Sequence, residues 1–260
     1  ASGVKFLRGV DGFLIDAGES VRLLAAVKAQ LENVFASWAV SPAVMDQLWA
    51  GAWWYLGTTF FRQAAIPWRG RMEPLLHLRV RLDRFRLSTS QRRILRRNAD
   101  LRIVRREAKV DALRRDLFDR HKQRFQDGVP QALDDFVGPL PSQVPVSATE
   151  FDVFQGRRLI AVSYLARGHR SVASLYGFFD PRFSSRSLGL LTMLEEIAFA
   201  RSEGCDWYYP GYALQEPSSM DYKKRFHGLE AYDWDRGWLE FPRETRESGS
   251  ESVLDDESEL

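Results

Sequence analysis

Val21, Leu24, Val27, Leu31 and Val34 or Phe35 recur at steps of three and four, a period that predicts an amphipathic helix over 19–37. Ser41 before Pro42 reads as a helix start, with serine as cap and proline at the first helical position. That helix should stop near Gly51, and the aromatics Trp49, Trp53, Trp54 and Tyr55 read as core. The period then changes to two. Leu76, Leu78, Val80 and Leu82 alternate with His77, Arg79, Arg81 and Asp83, which predicts a half-buried strand with a basic outer face. Next, Ser88 or Ser90 can cap a short helix. Its Ile94 and Leu95 lie on one side, while Arg92, Arg93, Arg96 and Arg97 fall within an arc of about 140°. Val110, Leu113, Leu117, His121 and Phe125 predict a helix over 108–126, ended by Gly128 and Pro130.

The pattern changes after the proline-rich stretch GPLPSQVPV at 138–146. Three antiparallel strands are expected at about 150–155, 158–166 and 171–179, turning at Gly156 and Gly168. A loop follows, then a helix at 187–203 that buries Leu190, Leu191, Leu194, Ile197 and Ala198 and exposes Glu195, Arg201 and Glu203. CDWYYPGY reads as a short buried strand and GWLEF as the last one. Meander, loop, helix, strand is the order of an α/β, GNAT-like mixed sheet flanked by helices. The expected organisation is a helical basic lobe at 1–137, a linker at 138–146, a GNAT-like lobe at 147–242 and an acidic disordered tail at 243–260. In GNAT proteins the loop before the helix offers backbone N–H groups to a pyrophosphate. Here Arg186 and Gly189 fit that loop, but Leu191 stands where a small residue belongs.

Net charge is only +2 and conceals a strong asymmetry. Residues 79–124 carry 17 Lys/Arg against 6 Asp/Glu, which points to a polyanionic partner. Residues 243–260 carry 2 basic and 7 acidic residues. No apolar run approaches the roughly 18 residues of a membrane span, and the early segment VRLLAAVKAQLENVF is interrupted by Lys28 and Glu32. A cytoplasmic location without membrane contact is the default expectation. A single cysteine, Cys205, excludes an internal disulfide and an all-cysteine metal site; it reads as a small buried residue. None of the four histidines has metal-ligand spacing: His121 reads as packed in the core, and His77, His169 and His227 as exposed.

Three ordered blocks, FRLSTSQRRILRRNADL, YGFFDPRFSSRSLG and WYYPGYALQEPSSMDYKKRFHGLEAY, with a looser match at MDQLWAGAWWYLGTTFFR, carry a resemblance that covers roughly residues 42 to 241. Together they resemble the aminoacyl-tRNA–protein transferases, the arginyl- and leucyl-transferases of the N-degron system. The family's N-terminal paired cysteines are absent; QAAIPWRGRMEP stands there instead, so any metal-linked regulation is lost. The resemblance implies an enzyme that moves arginine or leucine from charged tRNA to the free α-amine of an acceptor. That acceptor is an acidic protein or peptide N-terminus, or a small amine in biosynthesis. The ester is already activated, so no cofactor, metal or covalent enzyme intermediate is needed.

Such aminolysis requires two substrates held in line, loss of an ammonium proton and stabilisation of an oxyanion. Gln91, Arg92 and Arg93 are expected to contact substrate, with Arg96, Arg97 and Lys224 on RNA phosphate. By resemblance Tyr176, Tyr222 and Lys223 face the cleft, and Lys223 or Arg225 can clamp an acceptor carboxylate. Gly211 allows close approach to the backbone. Tyr209 and Tyr222 can orient substrate or relay protons, and Asp180 can accept the ammonium proton. Two rival readings remain open: a coenzyme A-dependent N-acyltransferase on the same fold, and a non-catalytic RNA-binding protein.

Overall fold

The computed structural model describes residues 33–125 and 131–242. Most of the helix expected over 19–37, the stop signals Gly128 and Pro130 of the helix expected over 108–126, and the acidic tail lie outside the described residues. Val34–Ala36 is a strand, β1, where the end of a helix was expected. Helix α1 (Pro42–Ala50) starts where the sequence places it, with the Ser41 hydroxyl accepting from the Val44 N–H and Pro42 in the first turn. Strands β2 (Trp54–Leu56) and β3 (Thr59–Phe61) complete a small sheet with β1.

The main sheet has nine strands. They are β4 (Ala65–Trp68), β5 (Arg71–Arg81), β6 (Arg102–Glu107), β7 (Ala148–Gln155), β8 (Arg158–Arg167), β9 (Ser171–Phe179), β10 (Trp207–Leu214), β11 (Leu229–Asp233) and β12 (Gly237–Glu240). The order is β12-β11-β5-β10-β9-β8-β7-β6, with β4 also on β5. The β9–β10 pair is parallel and the other pairings are antiparallel. Strands from before the proline-rich stretch therefore sit inside the sheet: β5 lies between β10 and β11, and β6 pairs with β7. The expected helical lobe is rich in strand. β5 and β6 complete the hydrogen bonding of partners far along the chain, a demand that periodicity along one segment does not reveal.

Helix α2 (Thr89–Arg97) and helix α5 (Leu188–Ser202) cover one face of the sheet. Helices α3 (Ala112–Lys122) and α4 (Leu133–Val137), α1 and the small sheet cover the other. β8 shows the division: Ser163 and Leu165 point toward α5, whereas Val162, Tyr164 and Ala166 point away. Burying one such aliphatic side chain contributes about 1.5–3 kcal/mol. α3 is shorter than its apolar spacing suggests, because Asp111 caps it and Val110 falls outside. Leu113, placed in the core by the pattern, is exposed. On α5, Ala198 faces solvent and Glu196 is fully buried in its stead.

Candidate active site

The parallel pairing of β9 with β10 runs from Ser171–Trp207 to Ala173–Tyr209 and stops there. Both strands lose regular register at this level. β9 slips against β8 between Ser174 and Tyr176, and β10 slips against β5 between Tyr208 and Gly211. Past that point the facing edges of β9 and β10 no longer pair with each other, which leaves a break between the strands toward their C-terminal ends. Pro210 supplies no N–H on its edge.

Gly211 sits at the floor of the opening with φ +91°, a conformation that favours glycine. A Cβ there would lie 3.4 Å from Lys223 Nζ and 3.6 Å from the Trp54 ring. Both are ordinary contact distances, so it is the backbone conformation rather than lack of space that favours glycine here. Lys223 comes from the 3-10 turn Asp221–Arg225 and donates to the Tyr212 carbonyl at 3.2 Å. Desolvation pushes its pKa down to about 8. A small aromatic pocket of about 10 Å³, room for no more than a water, adjoins, lined by Trp49, Trp54, His77, Tyr209, Gly211 and Trp238 among others, so its rings must part to admit a side chain. None of its described lining residues is acidic.

Tyr176 on β9 stacks on Phe136 with ring centroids 4.2 Å apart. Burial raises its phenol pKa. Tyr222, beside Lys223, is pushed up to about 12 by the same cause, so its hydroxyl stays protonated and is able to donate. Arg124, at the end of α3, lies over the Phe179 ring at 4.5 Å and completes the mouth.

Beneath the cleft lies a group that the sequence reading overlooked. Glu196 on α5 is fully buried and accepts a hydrogen bond from the Tyr208 hydroxyl at 2.7 Å. The Ser163 and Ser174 hydroxyls lie close to the same carboxyl. Burial pushes the Glu196 carboxyl up to about 7, and the hydrogen bonds offset only part of that rise. The available signal was the small-residue spacing Thr192, Glu196, Ala200, which puts the acid on the inward face of α5.

Several expected site residues prove to have other duties. Asp180 is fully buried and binds Arg158 at 2.8 Å and Arg182 through both oxygens; it also accepts from the Arg182 N–H. Both of its oxygens are engaged by guanidiniums, so it is not placed to take the ammonium proton. Tyr209 is buried against Trp49 and Trp238, with its phenol pushed up to about 12 by burial. Gln91 closes a capping box with Ser88 and is buried, so it holds α2 rather than substrate. Lys224 pairs with Asp221 at 2.8 Å, and Arg225 is exposed on the same turn. His77 is buried, not exposed: α1 and the small sheet cover the outer face of β5, and Gln63 O lies 2.8 Å from its Nε2.

The four arginines of α2 are all exposed, as the spacing implied. Arg92 reaches the Leu87 carbonyl and Arg97 the Ser185 carbonyl, and among the described residues none of the four has an acidic partner. Cys205 is half-buried and its thiol pKa is raised by burial, which does not favour a thiolate nucleophile.

Comparison with known proteins adds the following. Residues 113–233 match a family described as "Arginine-tRNA-protein transferase, C terminus". The chain is similar to the aspartate/glutamate leucyltransferase of Stenotrophomonas maltophilia (strain K279a), 34% identical over 172 residues, covering 63% of this chain and 68% of that one. It is also similar to the aspartate/glutamate leucyltransferase of Xylella fastidiosa (strain M23), 35% identical over 175 residues, covering 63% of this chain and 67% of that one. Among solved structures, L-PGS from Bacillus licheniformis aligns with a TM-score of 0.43 at 9% identity, covering 72% of this chain and 54% of that one. FemX aligns with a TM-score of 0.43 at 11% identity, covering 80% and 72%. These two likenesses are too distant to carry an argument.

Proposed function

The chain belongs to the aminoacyl-tRNA–protein transferase family, and from that premise we propose that it transfers leucine from charged tRNA to the α-amine of a peptide or protein whose first residue is acidic. Membership makes it an aminoacyltransferase that draws on charged tRNA; the donor, the acceptor and the residue roles are the proposal. The observation that carries it is the meeting of one ammonium with an acid-free aromatic pocket at Gly211. An arginyl donor asks for a carboxylate partner, whereas a leucyl side chain asks for apolar walls. Lys223 supplies the charge that an acidic acceptor side chain needs.

On this reading the acceptor amine attacks the ester carbonyl within the β9–β10 cleft. Tyr222, held protonated, and unpaired backbone N–H groups of the strand edges stabilise the oxyanion. Tyr176 walls the cleft, and Arg92, Arg93, Arg96 and Arg97 attract the RNA backbone. The order β7, β8, β9, turn, α5, β10 supports a GNAT-like assignment of the sheet. Coenzyme A is disfavoured as donor because Leu191 is buried in one cluster with Ile94 and Leu188, and α2 is tied to the preceding turn.

The test is a transfer assay with bulk tRNA charged with one labelled amino acid at a time and peptides beginning with Asp, Glu or Ala. Label should move from leucyl-tRNA to the acidic peptides. Transfer of arginine alone would overturn the donor, and equal transfer to the Ala peptide would overturn the acceptor.

A further inference from the structure

We infer that the arginine cluster organised by Asp180 is a phosphate-binding site for the single-stranded 3′ end of the RNA substrate. The inference rests on the tRNA reading above and adds the place where the strand is gripped.

Asp180 follows the last residue of β9 and opens the 3-10 turn Pro181–Arg186. Its carboxylate is 1% exposed, yet Arg182 and Arg158, which grip it, are 61% and 45% exposed. Buried acid and outward guanidiniums mean that Asp180 orients the arginines while their remaining N–H groups face water. Arg120 approaches the same carboxylate at 3.5 Å and is shared with Asp116. One carboxylate cannot neutralise both Arg158 and Arg182, so the turn carries surplus positive charge. A surplus held in fixed forks is what a phosphodiester recognises.

Position supports the assignment. The turn touches α2 through Arg97 on the Ser185 carbonyl and Arg186 on Asp100, so the arginine face of α2 is continuous with it. On the other side Arg124 covers Phe179 at the mouth of the cleft. From Tyr176 to Asp180 is roughly 13 Å of extended chain, a span that a few stacked nucleotides cover. A strand lying along α2 would cross this turn before its ester enters the cleft.

The experiment measures binding of uncharged tRNA between about 50 and 200 mM salt, for the wild type, R158Q/R182Q and R201Q. Arg201 is exposed near the far end of α5 and serves as the control for lost charge. The double variant should bind about tenfold more weakly at low salt, and its log–log slope should shrink by about 0.7–0.9 for each phosphate lost. R201Q should keep the wild-type slope. If the double variant fails to fold by circular dichroism, R182Q alone, at the more exposed site, should show a partial loss in the same direction. An unchanged slope in a folded double or single variant overturns the site. So does micromolar binding of coenzyme A that the double variant abolishes, which would assign the arginines to a diphosphate. Wild-type protein that binds tRNA with this dependence but transfers nothing overturns the transferase reading and keeps the site. Wild-type protein that binds no tRNA overturns both.

Discussion

Replacing Glu196 with Gln should stabilise the protein, and increasingly so as pH rises. The side chain is fully buried and its carboxyl pKa stands at about 7, against 4.5 for an unperturbed glutamate. The folded state therefore holds a proton that the unfolded chain releases earlier. Stability from this group is fully present below about pH 4.5 and is lost as pH climbs through about 7. At about 1.36 kcal/mol per pH decade that rise corresponds to a full loss of about 3 kcal/mol, most of which falls between pH 5 and pH 8. Glutamine does not titrate. Its carbonyl can accept from Tyr208, and its amide can donate to the nearby Ser163 hydroxyl.

Melting curves for the wild type and E196Q at pH 5, 6, 7 and 8 test this. Other titrating groups cancel in the difference. For a chain of this size about 1 kcal/mol corresponds to roughly 2–4 °C, so the gap between the two should widen by about 5–10 °C from pH 5 to pH 8. A gap that stays constant across that range would refute the reasoning. It would mean that Glu196 is ionised throughout or that water reaches it.

Other outcomes follow from the same geometry. Arg114 is buried and binds Glu150 and Asp152, both buried acids, so R114M should cost about 3 kcal/mol in chemical denaturation by leaving the two carboxylates with the part-exposed Arg106 as their remaining side-chain cation. G211A should lower kcat/KM at least tenfold with a modest fall in Tm, because the added methyl enters at φ +91° beside Lys223 Nζ and Trp54. K223M should raise KM for acidic peptides about tenfold or more and leave binding of uncharged tRNA intact. With the Lys223 pKa at about 8, its charge is present below that pH and lost above it, so KM for an acidic peptide should climb from pH 7.5 to pH 9 in the wild type and stay flat in K223M.

Where chemistry depended on local spacing, the chain could be read directly. Ser41–Pro42, the Ser88 cap and the one-sided arginines of α2 are local objects, and each appears where its residues require, whereas Gln91, expected on substrate, closes the cap instead. The meander of β7, β8 and β9 was equally legible, because alternation and turn glycines set it within a few residues. What stayed hidden depends on partners far along the chain. His77 alternates like an exposed residue, but α1 and the small sheet cover it. Asp180 before a proline looks like a turn former or a base. Only the arrival of Arg158 from β8 makes it a buried anchor. Glu196 looks like half of an exposed Glu195-Glu196 pair until Tyr208 approaches it from β10.

The same logic explains why the cleft lies where it does. A sheet of nine strands satisfies its backbone by pairing, and a site for an ester and an amine needs strand edges whose N–H groups are not already committed to a neighbouring strand. The parallel β9–β10 junction can supply them, since its pairing ends after three residues while both strands continue. Gly211 and Pro210 sit on one side of that break and Tyr176 on the other, so the residues that prevent regular pairing are also those that line the opening. Restoring regular pairing would close the site. A residue that brings Pro210 back into the β ladder, such as P210V, should therefore raise Tm and lower kcat together, whereas loss of both would mean that Pro210 supports the fold rather than the gap.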